Sequence, residues 1–323
     1  MPRSSLADHI TRRSLRSAAA TALALSFVCS PAAAEPFVGQ FELKNLESAP
    51  GSFEFQSQNA WSWGVPPRQI ASDVDGVEFD ENEITRARYA LELEMGLTSI
   101  LKMRVGIEFE QERFDEPETV QQANRFDELS LTEVGAELIA VLVPREGDGA
   151  GFGVVAEVEG PLDQEDSNTL VLGAIIEFQS ARWFAAAVPM LVHDFGGDTQ
   201  DGERVDNKWD FAYAAQLAFA LSESWSLALE GYGTVERLGS TGHPSDAAEL
   251  LGDFNQHRLG PVLYYTHDFG GALGERSNGA SALRSGAGEA AGGTTLSVGV
   301  GLLAGLNDDT ADHTLKLSIE VDF

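Results

Sequence analysis

From Arg86 to Glu110 the chain reads RARYALELEMGLTSILKMRVGIEFE, with every charge on an even position and nearly every large apolar side chain on an odd one. A period of two belongs to the pleat of a β-strand, where successive side chains point to opposite faces. On a helix, Leu91, Leu93, Met95, Leu101, Met103, Val105, Ile107 and Phe109 would spiral around the axis and form no stripe. Segments of this kind need an apolar neighbour on one face and a wet one on the other along their whole length.

The alternation recurs. Trp209, Phe211, Tyr213, Ala215, Leu217, Phe219 and Leu221 alternate with Asp210, small alanines and Gln216. Segments 52–62, 151–160, 168–179, 225–237 and 293–305 are also strand-like, while 129–143, 182–194 and 256–268 alternate less cleanly but have suitable length. That makes about a dozen strands, most close to the roughly 9–11 residues that cross a bilayer at a tilt. Their connections alternate too. Short turns at 97–99, 144–150, 180–182 and 222–224 interleave with acidic segments at 63–83, 113–128, 161–167, 195–207 and 238–255. Counted back from Phe323, every short turn falls on the C-terminal side. The pattern predicts an all-β protein: a transmembrane up-and-down antiparallel β-barrel of about twelve strands over 52–323. Residues 269–292 are a flexible Gly/Ala/Ser-rich insertion. Residues 35–51 read as a short periplasmic lead-in or a partial extra strand.

Residues 1–34 have the form of a cleaved secretory signal: Arg3, Arg12, Arg13 and Arg16, the apolar run AAATALALSFV, then small residues up to Ala34. Cys29 is the sole cysteine, so the exported chain has neither disulfide nor thiolate chemistry. A formal charge of −30 argues against a nucleic-acid partner.

The ending LKLSIEVDF places Leu315, Leu317, Ile319, Val321 and Phe323 on one face and finishes on an aromatic residue. With the export signal and the alternating strands, it resembles the C-terminal assembly signal of Gram-negative outer-membrane β-barrel proteins. WSLALEGYG (225–233) followed by QHRLGPVLYY (256–265) is similar to stretches in barrels described as transporters, some named for phenol degradation. The resemblance implies a cell outer-membrane location, contacts with outer-membrane lipid and lipopolysaccharide, folding by the barrel assembly machinery, and passage of small solutes. Trp61, Trp63 and Trp209 fall at outer strand ends, while Trp183 and Trp225 follow short turns. Amphipathic rings in those places form girdles at the two lipid–water boundaries.

If apolar residues face lipid, charges face the lumen. Closing the hairpin over Leu97–Ser99 opposes Glu94 to Lys102, Glu92 to Arg104, Arg88 to Glu108 and Arg86 to Glu110. Such a ladder of opposite charges either fixes register or forms a charged strip on a pore wall. The other inward residues are mostly acidic: Glu54, Glu157, Glu159, Glu177, Asp210, Glu230, Glu236, Glu320 and Asp322. They favour cationic or neutral polar solutes, or else they solubilise the exported chain. The expected function is a passive or facilitated small-solute channel. The alternative is a structural or surface-interaction barrel working through its acidic loops.

Enzymatic, cofactor and metal roles find little support. HDFGG occurs at His193–Gly197 and His267–Gly271, but the strand count puts the copies at opposite faces, where Gly-punctuated turns explain them. DVDGVEFDENE (73–83) lacks EF-hand spacing, and no G-x-S-x-G, H-E-x-x-H or phosphate-binding Gly-rich motif occurs. Because every strand needs hydrocarbon on one face, the mature chain refolded without detergent or lipid is expected to aggregate. A compact monomer in plain buffer, seen by sedimentation velocity, would overturn the barrel assignment.

Overall fold

The computed structural model describes residues 41–66, 84–114, 125–145, 147–162, 168–195, 208–236, 238, 241, 255–269 and 293–323. All of these belong to the compact unit Ala32–Phe323. The predicted signal segment 1–34, residues 35–40, the acidic stretch 73–83 and residues 270–292 lie outside the described residues.

Twelve strands account for most of the described chain: β1 (Phe53–Val65), β2 (Ile84–Thr98), β3 (Leu101–Phe114), β4 (Ser130–Val143), β5 (Gly149–Pro161), β6 (Asn168–Ser180), β7 (Trp183–Phe195), β8 (Lys208–Ala220), β9 (Trp225–Val235), β10 (Gln256–Asp268), β11 (Thr295–Gly305) and β12 (His313–Asp322). Each pairs antiparallel with its sequence neighbours, and β1 closes on β12 from Glu54 opposite Asp322 to Trp63 opposite His313. Closure removes the sheet edges, so the strand backbones find their partners within the sheet.

The outward face is a belt of exposed apolar side chains, among them Leu93, Val105, Leu138, Ile176, Phe178, Leu217, Leu229 and Val300. The inward face carries buried polar groups, including Glu54, Arg88, Glu92, Glu94, Lys102, Arg104, Glu110, Glu157, Glu159, Glu177, Asp210 and Glu230. This is the reverse of a water-soluble fold, and it follows directly from the alternation. Residues 99–100, 144–148, 181–182 and 221–224 connect the strands at one end, the end where β1 starts and β12 finishes.

The β2–β3 ladder meets two residues further along than the sequence implied. Arg86 opposes Glu112, Arg88 opposes Glu110, and Glu94 opposes Arg104. The turn is tighter than Leu97–Ser99: β2 runs to Thr98, β3 begins at Leu101, and a register irregularity lies between Gly96 and Thr98. A slip of two keeps every side chain on its face, whereas a slip of one would invert them all.

The inner wall is not uniformly polar. Val171 and Ile175 on β6, Val188, Met190 and Val192 on β7, and Ala212 and Ala214 on β8 are inward and buried. With Ile139, Val141 and Val155 they form an apolar cluster inside the barrel. Strands apolar on both faces lose their binary alternation, which is why 182–194 reads less cleanly than 86–110. The outward belt also yields a test. Leu229→Arg puts a charge on that face midway along β9 and is expected to cost roughly 2–4 kcal/mol, measured by guanidinium unfolding in lipid vesicles.

Candidate functional site

The interior of the barrel is occupied by the chain itself. Residues 41–49 adopt no regular secondary structure, and Phe41, Glu42, Lys44 and Leu46 are buried there. The sequence alone is compatible with a periplasmic lead-in or a partial extra strand over 35–51; in the structure the chain from residue 41 onward lies against the inner wall. The alternating FELKNLES was the available signal. Nothing local distinguishes a strand that joins a sheet from an extended segment lying inside one.

Ion pairs hold the segment to one side. The Lys44 Nζ reaches Glu157 at 3.2 Å and Glu42 at 3.6 Å, and donates a hydrogen bond to Glu137. The Arg104 guanidinium bonds Glu42, reaches Glu94 at 2.8 Å and lies 3.5 Å from Glu92. Lys102 sits 2.9 Å from Glu94 and donates to the Asn45 side-chain oxygen at 2.7 Å. Arg145 pairs with Glu177 at 2.9 Å and reaches Glu47 at 3.8 Å. The Leu46 amide donates to Glu177 at 2.8 Å. Each of these buried cations gains a counter-charge, which offsets the cost of taking it out of water.

Shape complements charge. A Cβ on Gly153 would lie 2.5 Å from a Leu46 methyl, and one on Gly96 only 1.9 Å from the Ala49 carbonyl oxygen. These glycines are the notches in which the segment lies. At its inner end Phe41 stacks edge-on to Tyr232, with ring centroids 5.2 Å apart, beneath the Arg258 guanidinium at 5.1 Å.

The predicted ladder residues therefore meet, but much of their charge is shared with the inner segment. Arg88 pairs with Glu110 at 2.7 Å, and Arg86 with Glu112 at 2.5 Å and Glu110 at 3.3 Å. Glu108 instead lies with Glu133 and Glu159, their oxygens within 4.8 Å of one another; Glu54, Glu320 and Asp322 form a similar triad. These triads concentrate like charge on the lumen wall. Glu230 accepts from Lys316 at 2.7 Å and from Tyr232 at 2.6 Å.

The sequence reading missed Lys44, Arg145, Lys316 and the tyrosines. The signal was there in the lysines: the chain has four, Lys44, Lys102, Lys208 and Lys316. All four are buried inside the barrel, each within 3 Å of a carboxylate or hydrogen-bonded to one. Lysine is normally a surface residue, so this distribution marks the lumen as the place where positive charge is needed.

The ion pairs draw Glu42–Glu47 towards β2–β6, Phe41 reaches Tyr232 on β9, and space remains beside them. Between Glu92, Arg104, Glu108, Glu133 and Glu157 the recess measures about 10 Å³. Along β1, β12 and β7–β11 a cavity of about 110 Å³ remains beside Leu43–Glu47. Its charged lining balances, with Lys44, Arg145 and Lys316 against Glu47, Glu177 and Glu320.

Aromatic residues gather at both rims. Trp61 donates to the Tyr89 hydroxyl at 3.0 Å, and His193 stacks on Trp209 at 4.3 Å. At the turn end Trp183 packs on Phe219 and Trp225 on Tyr265, 4.7 and 4.9 Å between centroids. Trp63 is exposed near the end of β1. His267 lies at the end of the barrel opposite His193, so the repeated HDF motif assembles no common site. Leu315, Leu317, Ile319 and Val321 alternate with the inward Thr314, Lys316 and Ser318, and the Phe323 amide donates to the Phe53 carbonyl at 2.9 Å.

Lys44→Met leaves Glu137 and Glu157 without their shared cation, a loss of about 3–5 kcal/mol if the segment stays in place. The expected result is that it comes away first: hydrogen-exchange protection falls across 41–48 while the strands stay protected. Unchanged protection would show that the ion pairs do not hold it.

No protein-family model matches the chain, and no curated protein matches it significantly. Among solved structures, an outer membrane channel from Pseudomonas putida F1 aligns with a TM-score of 0.51 at 10% identity, over 87% of this chain and 98% of that one. The transport unit of the autotransporter AIDA-I from Escherichia coli aligns at 0.42 and 10% identity, covering 88% and 95%. The KdgM porin in complex with disordered oligogalacturonate aligns at 0.39 and 6%, covering 84% and 98%. The last two are too distant to carry an argument. Strand order, closure, inverted polarity and the first of these likenesses agree on one conclusion: the chain has the fold of an outer-membrane β-barrel protein.

Proposed function

We propose that this protein is a narrow passive channel in the outer membrane, with residues 41–48 as a constriction inside it. The observation that carries the reading is the off-centre attachment of that segment, which fills the charged side of the lumen and leaves the 110 Å³ cavity on the other. A barrel of twelve strands lies between the filled eight-stranded type and the open sixteen-stranded porins. An inner segment therefore sets the bore.

Small neutral polar and cationic solutes suit this interior. The open side is balanced in charge, and the two carboxylate triads draw cations towards the wall. Apart from those triads, most of the charged ladder is neutralised by its own partners and by Lys44 and Glu42, so it positions the constriction more than it sorts ions. In this reading the outward belt and the rim tryptophans contact lipid and lipopolysaccharide, the short turns face the periplasm, and the Leu315–Phe323 stripe is read by the assembly machinery. The chemistry is permeation and not catalysis.

Planar-bilayer recording of the full chain and of a variant lacking residues 41–48 tests this. The full chain is expected to conduct weakly and with cation preference, and the deletion to raise conductance severalfold. Silence from both proteins would remove the channel reading and favour a surface-interaction barrel.

A further inference from the structure

The cavity beside the inner segment has a lining of a particular kind. Its β1, β12, β11 and β9 walls present uncharged hydrogen-bonding groups: the amides of Gln56 and Gln58 and the hydroxyls of Ser318, Ser297 and Ser226. The Phe184 and Tyr264 rings line the same space. In a water-filled pore with no ligand of its own, each buried polar atom should find a partner in the protein or in solvent. The Gln58 amide nitrogen donates to the Gln56 oxygen at 3.2 Å, yet the Gln58 amide oxygen is buried and has no partner among the described residues. Gln56 in turn donates to Glu54. The chain of amides thus runs Gln58 to Gln56 to Glu54 and ends, at Gln58, in an acceptor that no described residue meets.

From these groups we infer that the cavity is a binding subsite for a small neutral polyol, with three or four carbons bearing hydroxyls. A hydroxyl is both donor and acceptor, so it can give a proton to the Gln58 oxygen while accepting from a serine hydroxyl. The carbon skeleton then lies against the two rings. The cations bordering the space have protein partners at short range: Lys44 with Glu157 at 3.2 Å, Lys316 with Glu230 at 2.7 Å and Arg145 with Glu177 at 2.9 Å. An anionic solute would have to displace a carboxylate from one of these cations, and a neutral one would not. Size points the same way. A cavity of roughly 150 Å³ accommodates benzene, so 110 Å³ takes a molecule of glycerol or erythritol size, whereas a disaccharide would extend beyond it.

The inference deepens the channel reading and rests on it for its physiological meaning, but the subsite can be tested without conduction. Saturation-transfer NMR on the detergent-solubilised full chain would use glycerol, erythritol, lactate and sucrose as probes. Glycerol and erythritol are expected to bind, and lactate and sucrose not to. Gln58→Leu, which removes the open acceptor, is expected to weaken polyol binding roughly three- to tenfold, the loss of one buried hydrogen bond. Phe184→Leu keeps every hydrogen bond and should weaken it less. Heat-modifiable migration in gels verifies that each variant still forms a barrel. If lactate binds as well as glycerol, or if Gln58→Leu and Phe184→Leu both leave glycerol binding unchanged, the subsite assignment is wrong. Polyol binding in a protein that passes no current would keep the subsite and discard the channel. Current without polyol binding would do the reverse.

Discussion

A backbone surrounded by hydrocarbon has no water to satisfy its amides and carbonyls, and that one constraint organises this molecule. Closing twelve strands into a ring answers it, and closure divides the side chains into two populations with no intermediate class. Apolar groups such as Leu93 and Leu229 turn outward, and groups such as Glu92 and Lys102 turn inward. Core and surface trade places, so charged side chains are buried inside the barrel.

That accumulation creates a second requirement. Carboxylates crowded on a narrow inner wall repel one another, and the chain offers few cations to offset them. It places all four lysines there, together with Arg86, Arg88, Arg104 and Arg145. Lys44 arrives on a segment outside the sheet, and its pairing with Glu137 and Glu157 explains how electrostatic balance and occlusion of the lumen become one arrangement. Removing the segment's charges would take from Glu137 and Glu157 the cation they share, and removing the wall's charges would take from Lys44 and Glu42 their partners. A cavity lies along β1, β12 and β7–β11, where amides, hydroxyls and rings stand beside three cations and three carboxylates.

Much of this was legible in the residues. The period of two from Arg86 to Glu110 specified both faces of β2 and β3, and the parity of short and long connections specified the order and direction of the strands. The hairpin register was legible only to within two residues. Turn length depends on whether Leu97 and Thr98 extend the strand, and a slip of two leaves the binary pattern unchanged. The apolar interior at Val171, Ile175, Val188 and Met190 was hidden because a strand greasy on both faces carries no alternating signal.

The sequence by itself determined the barrel, its strand order and the face on which each charge lies, because these depend on local periodicity and on the spacing of turns. Only the tertiary structure decided that Phe41–Ser48 lies within the lumen, which carboxylates Lys44 meets, and on which side space remains. Those outcomes depend on pairing across more than ninety positions, as between Lys44 and Glu137, and on glycine notches at Gly96 and Gly153 that acquire meaning when another part of the chain is laid against them. Periodicity is a property of neighbours along the chain, whereas the fit between a segment and a wall exists only once the ring has closed.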